Sequence, residues 1–264
     1  MSTHPANLSD FTMPVSPTAQ IDPSARVEEN VSVGHFSVID SDVRIGVGSQ
    51  IGHHVVIHAS TVVGDGVRID DHAVLGKQPM RAARSATSSA SELPPAHIGN
   101  RSLIGAGAVL YAGCTIGERV LVADYATVRE RVDVGDETIV GRGVAIENDC
   151  SVGARCKLET NAYICAYTTI GDDVFIAPGV LTSNDNFMGR TEERKKHFGG
   201  PTIHTGARLG VGSVLLPGTD IPPEAVVAAG AVLTRDAEAG KIHQGVPARA
   251  VREVPPNQLL KSKE

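Results

Sequence analysis

Two polar stretches gather side chains suited to binding and transforming a charged ligand. One reads Ser183-Asn184-Asp185-Asn186-Phe187-Met188-Gly189-Arg190 and runs on through Glu192, Glu193, Arg194, Lys195, Lys196 and His197. The other places Lys77, Arg81 and Arg84 among Ser, Ala and Pro. Arginine meets a phosphate through paired N–H donors and lysine meets it as a point charge, so basic side chains at this density suit phosphorylated ligands. Two stretches invite two such ligands; a solvated surface excursion is the plainer reading of either one.

Histidines form a second pattern. His35 and His53 are separated by three sixes of sequence, as are His54 and His72, and His58 lies close to the same region. Imidazoles brought together suit Zn²⁺, although exposed corners also collect histidine. His97, His197 and His204 flank the polar stretches, where one of them could serve as base for a hydroxyl nucleophile. Glu130, Glu147 and Glu159 could accept a proton, but each sits where acidic residues recur along the whole chain and reads as a surface corner.

Six is the period of the chain. Aliphatic residues recur at that interval from Ile21 to Leu75, from Ile98 to Ile176 and from Ile203 to Leu233, thirty in all. Helices repeat every 3.6 residues and strands every two, so a corner must follow each step. Four places after the aliphatic residue a small or branched one recurs, among them Ser37, Ser49, Thr61, Ala108, Cys114, Cys150 and Cys156. Both positions point inward, which makes these three cysteines core filler and leaves Cys165, beside a corner, more accessible. Short strand, corner, short strand is the unit of an all-β parallel β-helix, in which three hexads close one triangular coil. Thirty hexads make about ten coils, a prism roughly 45 to 50 Å long at ~4.8 Å per coil.

The register breaks twice. Beyond one hexad, the gap from Leu75 to Ile98 leaves an insertion of seventeen; that from Ile176 to Ile203 leaves twenty-one, or fifteen if Thr182 begins one further distorted hexad. The chain therefore divides into a flexible segment (1–17), one elongated β-helix (18–235) with inserted loops at about 77–97 and 183–202, and a capping tail (236–264) able to turn helical after Pro256. A composition of 41% hydrophobic and 3% aromatic residues, without Trp, suits a narrow core. The net charge of -6 provides no global basic field, so neither nucleic acid nor a membrane is an expected partner. No recognisable signal peptide opens the chain and no apolar stretch approaches the length of a membrane span; a cytoplasmic protein is the expectation.

Four pieces carry a resemblance to a known family: Val74-Leu75-Gly76-Lys77-Gln78-Pro79, Ala126-Thr127-Val128-Arg129-Glu130, the run from Thr182 to Arg190, and Gly245-Val246-Pro247-Ala248-Arg249. With the hexads they make residues 18–252 resemble the left-handed β-helix acyltransferases, and within them the nucleotide-linked amino-sugar N-acetyltransferases that acetylate the 3-amino group of dTDP-3-amino-3,6-dideoxyhexoses. The left hand is implied by the resemblance alone, because general chirality favours right-handed crossovers. The resemblance also implies acetyl-CoA as co-substrate, no metal, and a cyclic homotrimer with sites between neighbouring rods. It implies cofactor contacts near Gly179, Gly212, Ala229 and Gly230, with Pro247, Ala248 and Arg249 nearby, and a nucleotide-sugar towards the first loop, bound by Lys77, Arg81, Arg129, Glu130 and Tyr163.

In the related acyl-carrier-protein O-acyltransferases of lipid A synthesis, the segment corresponding to Asn161–Ala166 carries a catalytic histidine where this chain has Ala166. A hydroxyl needs such a base, whereas an amine with a pKa of ~8 is partly neutral near pH 7 and reacts once it is oriented. The implied catalytic group is Asn161, Asn184 and Asp185, with Asn161 positioning the amine or the thioester carbonyl and no strong general base. Two alternatives stay open: a sugar O-acetyltransferase using a loop histidine, and a zinc enzyme similar to the β-helix carbonic anhydrases.

Overall fold

Each hexad supplies one two-residue strand whose first residue points outward and whose second, aliphatic residue points into the prism, as in Val38–Ile39 and Val56–Ile57. A strand pairs in parallel with the one three hexads on, Ile39 with Ile57 and Leu110 with Val128. The computed structural model describes residues 15–80 and 93–260, so Arg81 and Arg84 lie outside the described residues. Three flat sheets result, of eleven, ten and twelve strands, containing respectively Gln20–Ile21, Arg26–Val27 and Ser32–Val33 as their first members; we call them the first, second and third faces. The architecture is the all-β parallel solenoid read from the hexads, but it is longer than ten coils, since its first face is eleven parallel strands deep.

The inward aliphatic residues Ile39, Ile57, Leu75, Leu110 and Ile146 are at most 1% exposed, each burial contributing about 1.5–3 kcal/mol. The second inward position is buried as well, including its polar members Ser37, Ser49 and Thr138 at 0%. Burial of a hydroxyl is tolerated because it is bonded on both sides. Thr138 Oγ1 donates to the Gly153 carbonyl at 2.8 Å and accepts the Cys156 N–H at 3.0 Å; Ser37, Ser49 and Ser102 make the same bridge between coils. Cys114, Cys150 and Cys156 occupy this layer, where burial pushes the Cys114 and Cys150 thiols up to about 12. Cys165 is also buried, at 2%, which corrects the expectation of an accessible thiol.

Corners repeat one conformation, with the third residue after the aliphatic one at positive φ, as at Tyr125, Asn161 and Asp173. Stacked corners pass so closely that a Cβ on Gly34 would lie 2.4 Å from the Gly52 carbonyl oxygen. The recurrent corner aspartates have a structural duty: Asp65, Asp71, Asp124 and Asp172 accept N–H groups from the preceding coil at 2.7 to 2.9 Å.

At the second break, Leu181–Thr182 forms a strand between Tyr163 and Val214, so the further hexad suggested by Thr182 exists. At the other end Ser16 N–H already bonds the Val33 carbonyl at 2.8 Å. The tail is mainly a β-hairpin rather than a helix. Lys241–Gly245 joins the third face beside Val226–Val227, Ala248–Glu253 returns antiparallel, and only Pro256–Gln258 forms a 3-10 turn.

The faces differ outside. Outward residues of the first face are largely apolar, including Val56, Val74, Val109, Tyr163, Leu181 and Val214, whereas the second face presents Arg26, Arg44, His97, Asp133 and Asp220. Among the described residues no helix is long and apolar enough to cross a membrane. Because the hydroxyl bridges join successive coils, Thr138→Val is expected to destabilise the protein by about 1–3 kcal/mol in urea unfolding, while Thr138→Ser stays close to wild type.

Candidate functional site

Both insertions leave the rod at the same edge. The first follows the first-face strand Val74–Lys77 and returns at the second-face strand His97–Ile98; the second follows Leu181–Thr182 and returns at Thr202–Ile203. Five coil steps, roughly 24 Å at ~4.8 Å each, separate them along this first edge. Between them the edge consists of four stacked corners, residues 111–113, 129–131, 147–149 and 165–167.

The two middle corners hold an ion-pair network. Arg129 donates from Nε to Glu130 Oε2 at 2.8 Å and from Nη2 to Oε1 at 3.1 Å, and reaches Glu147 Oε2 from Nη1 at 3.3 Å. Arg131 makes a paired contact with Asp149, with Nη2 to Oδ2 at 2.9 Å. The Arg129 guanidinium lies 4.8 Å from the centre of the Tyr111 ring, with Lys77 Nζ 5.3 Å from the same ring. Glu130 is 1% exposed and fully paired, which overturns its reading as a surface corner.

Burial would lower the pKa of Arg129, but Glu130 and Glu147 outweigh it and hold the guanidinium above its ordinary value. Asp149 behaves oppositely to its burial, because Arg131 and the Asn148 amide keep it below the usual carboxylate range. Glu147 is raised: burial and the Glu130 charge disfavour its ionised form more than Arg129 favours it. Tyr163 and Cys165, on the next coil, are both kept protonated above their ordinary values, chiefly by burial.

The second loop is locked to this edge. Asn184 Nδ2 donates to the Ala166 carbonyl at 3.4 Å, and a Cβ on Gly200 would meet Thr168 Oγ1 at 2.4 Å. Asp185 accepts N–H groups of Phe187 at 2.8 Å and Gly189 at 2.9 Å and Arg194 Nη1 at 3.1 Å. These partners overcome its partial desolvation and hold its carboxyl low, so Asp185 is an anion that organises the loop rather than a free base. His197 stacks on Phe187 with ring centres 5.9 Å apart, facing out of the loop.

Of the residues expected to act, Lys77, Arg129, Glu130, Asn184 and Asp185 share the first edge, with Tyr163 on the adjoining first face; Arg81 lies outside the described residues. Asn161 does not join them. It is exposed at the opposite border of the first face, the third edge, where its Oδ1 lies 2.4 Å from the place of a Cβ on Gly143. Gly179, Gly212, Ala229 and Gly230 follow on the same third edge, and a Cβ on any of these three glycines would meet nothing within 4 Å. Pro247, in a cis peptide bond, Ala248 and Arg249 form the hairpin end, Ala248 buried and Arg249 donating to its carbonyl at 2.7 Å. Within one chain the three catalytic candidates are thus split across the width of the first face.

The histidine pairs do stack as their spacing implies, His35 on His53 at 5.4 Å and His54 on His72 at 4.9 Å. Parallel rings direct their nitrogens alongside one another, and His53 Nδ1 is occupied by the His35 N–H at 2.8 Å. Among the described residues no group of three His, Cys, Asp or Glu side chains is arranged to hold a metal. His58, one coil below the first loop, pairs with Asp40 at 3.1 Å beside a cavity of about 380 Å³ that Lys77 also lines. His97 lies on the second face, and His204 is hydrogen-bonded to Asp220 at 2.8 Å.

Glu147 is the residue whose weight the sequence conceals, since acidic corners are common. The signal available was its place three hexads after Arg129, hence one coil above it. Because removing one partner strands a buried charge, Glu130→Ala is expected to lower stability by about 3 kcal/mol in chemical unfolding, more than any exposed corner acid.

Two family models match the repeats, bacterial transferase hexapeptide (six repeats) over residues 95–130 and the hexapeptide repeat of succinyl-transferase over residues 202–235. No curated protein sequence matches the chain. Among solved structures, an Arabidopsis UDP-N-acetylglucosamine acyltransferase is similar with a TM-score of 0.60 at 18% identity, over 91% of this chain and 74% of its own. A UDP-N-acetylglucosamine acyltransferase from Bacteroides fragilis gives 0.48 at 19% identity over 91% and 75%. A hexapeptide-repeat acetyltransferase from Vibrio cholerae, complexed with acetyl coenzyme A, gives 0.39 at 23% identity over 46% and 70%. The two matching models and the parallel solenoid show that the chain is built from hexapeptide repeats, the repeat that these transferase models describe.

Proposed function

We propose that the protein is an acetyl-CoA-dependent N-acetyltransferase acting on the amino group of a nucleotide-linked amino-deoxy sugar, with a dTDP-3-amino-3,6-dideoxyhexose as the best-fitting acceptor. The observation that carries this reading is the first edge: two basic insertions flank four corners that contain arginines and carboxylates but no imidazole. Cationic side chains suit the diphosphate of the acceptor. A corner without an imidazole suits an amine, which reacts from its neutral form once held in place, better than a hydroxyl. The Arabidopsis structure of the same fold is that of an enzyme named for a UDP-sugar, in keeping with a nucleotide-sugar acceptor here.

Acetyl-CoA is assigned to the third edge. The open backbone at Gly179, Gly212 and Gly230 lets a pantetheine arm approach without side-chain obstruction, and Ala229 and the hairpin residues Pro247 to Arg249 continue that surface. The first and third edges border the same apolar first face, whose outward valines, Tyr163 and Leu181 call for a covering partner. A cyclic homotrimer would cover it and set the Asn161 edge of one copy against the Asn184 and Asp185 loop of the next. Of the loop histidines that the O-acetyltransferase reading would use, His97 lies on the second face and His204 is bonded to Asp220, which leaves His197 of the second insertion; His58, paired with Asp40, also lies on the first edge.

Purified protein incubated with acetyl-CoA, a thiol reagent and a panel of dTDP- and UDP-linked amino- and hydroxy-sugars should release CoA only with amino-sugars. Release with hydroxy-sugars alone would transfer the assignment to O-acetylation, and one zinc per subunit without CoA release would defeat both. Asn161→Ala should lower turnover by about ten- to hundredfold while leaving the oligomer intact by light scattering. Unchanged kinetics would remove Asn161 from the site.

A further inference from the structure

We infer that Glu147 accepts the proton of the attacking amine, an assignment that rests on the N-acetyltransferase reading and names the base that reading lacks. Five charged side chains meet on the two middle coils of the first edge, and four of them are already matched. Arg129 is held by Glu130 through contacts of 2.8 and 3.1 Å, and Arg131 is held by both oxygens of Asp149. Glu147 is the third carboxylate against two guanidinium groups. Its one ion pair among the described residues is the 3.3 Å contact of Arg129 Nη1 with Oε2, and Oε1 accepts no hydrogen bond from any of them.

The side chain is 28% exposed, so it remains open to a ligand lying along the edge. The groups around it are already engaged or kept protonated. From the preceding coil these are Arg129 and Glu130, locked together; from its own coil, Asp149, committed to Arg131; from the next coil, the Tyr163 phenol and Cys165 thiol, both protonated at neutral pH. Burial makes the Glu147 carboxylate more basic than an ordinary one. An unmatched carboxylate also attracts an ammonium-bearing acceptor and offers a neutral hydroxy-sugar no such attraction, which links the choice of nucleophile to this residue.

The step balances without further reagents. The amine lone pair forms the C–N bond at the thioester carbonyl while the carbonyl π pair moves to oxygen; the N–H proton passes to Glu147 Oε1. Collapse of the oxyanion breaks the C–S bond, and the departing thiolate takes the proton, restoring the carboxylate and releasing CoA as the thiol.

The test compares wild type with Glu147→Gln on an accepted amino-sugar. The inference predicts a fall in kcat of about hundredfold, an unchanged KM for acetyl-CoA and loss of the acid limb of the kcat–pH profile. A raised pKa in the folded state means that ionising Glu147 weakens the fold, so stability is lost as pH rises through the folded value. Glu147→Gln should therefore melt no lower than wild type at pH 8, the difference shrinking as pH falls towards the free value of ~4.3. Wild-type kcat and pH profile in the variant would overturn the inference alone; wild-type protein without activity on any amine would overturn both it and the function. If the glutamine variant does not fold, Glu147→Ala with added formate serves: rescue of about tenfold supports the role, and no rescue rejects it.

Discussion

Every strand of the rod is bonded to the strand three hexads away rather than to its sequence neighbour, and this single constraint governs what can meet what. A residue's partners along the axis are those one full coil before and after it, so chemistry accumulates in columns that run along edges. Arg129, Glu147 and Cys165 form one such column and Asn161, Gly179 and Gly212 another. The pairing holds because both inward positions of each hexad are filled, the second by valine, alanine, cysteine or a hydroxyl such as that of Thr138, which bridges two coils. The interior of such a rod is fully used by packing. Insertions that escape the register at one edge add polar and charged residues.

The hexads made most of the fold legible, because a period of six has no other simple physical reading. They located the core cysteines, sized both insertions and allowed Thr182 a strand that the structure contains. Other features were hidden for particular reasons. The burial of Glu130 depends on Arg129 folding back over it, a contact between sequence neighbours that periodicity does not register. The hairpin from Lys241 to Glu253 lies beyond the last hexad, where its role in extending the third face comes from Val226 and Val227 rather than from its own pattern. The separation of Asn161 from Asn184 follows from counting corners modulo three, which assigns them to different edges.

Charge on the first edge is distributed unequally, and that inequality has a cost and a use. Arg131 and Asp149 form a matched pair that holds successive corners together, and Arg129 is matched by Glu130 within its own corner. Glu147 is left poorly compensated in a half-buried place, a condition that packing alone would not select and that a binding site can exploit. The organised second loop, tied down through Asn184 and Asp185, completes one end of the same edge. The matched pairs carry stability on this edge, and the proposed base stands beside them.

The proposed acceptor site is the first edge, between the two insertions, and amide hydrogen exchange with and without saturating dTDP tests that proposal most directly. Added protection in residues 109–113, 127–131, 145–149 and 183–200 is the predicted result; protection confined to the histidine-stacked corners 34–37, 52–55 and 70–73 would contradict it.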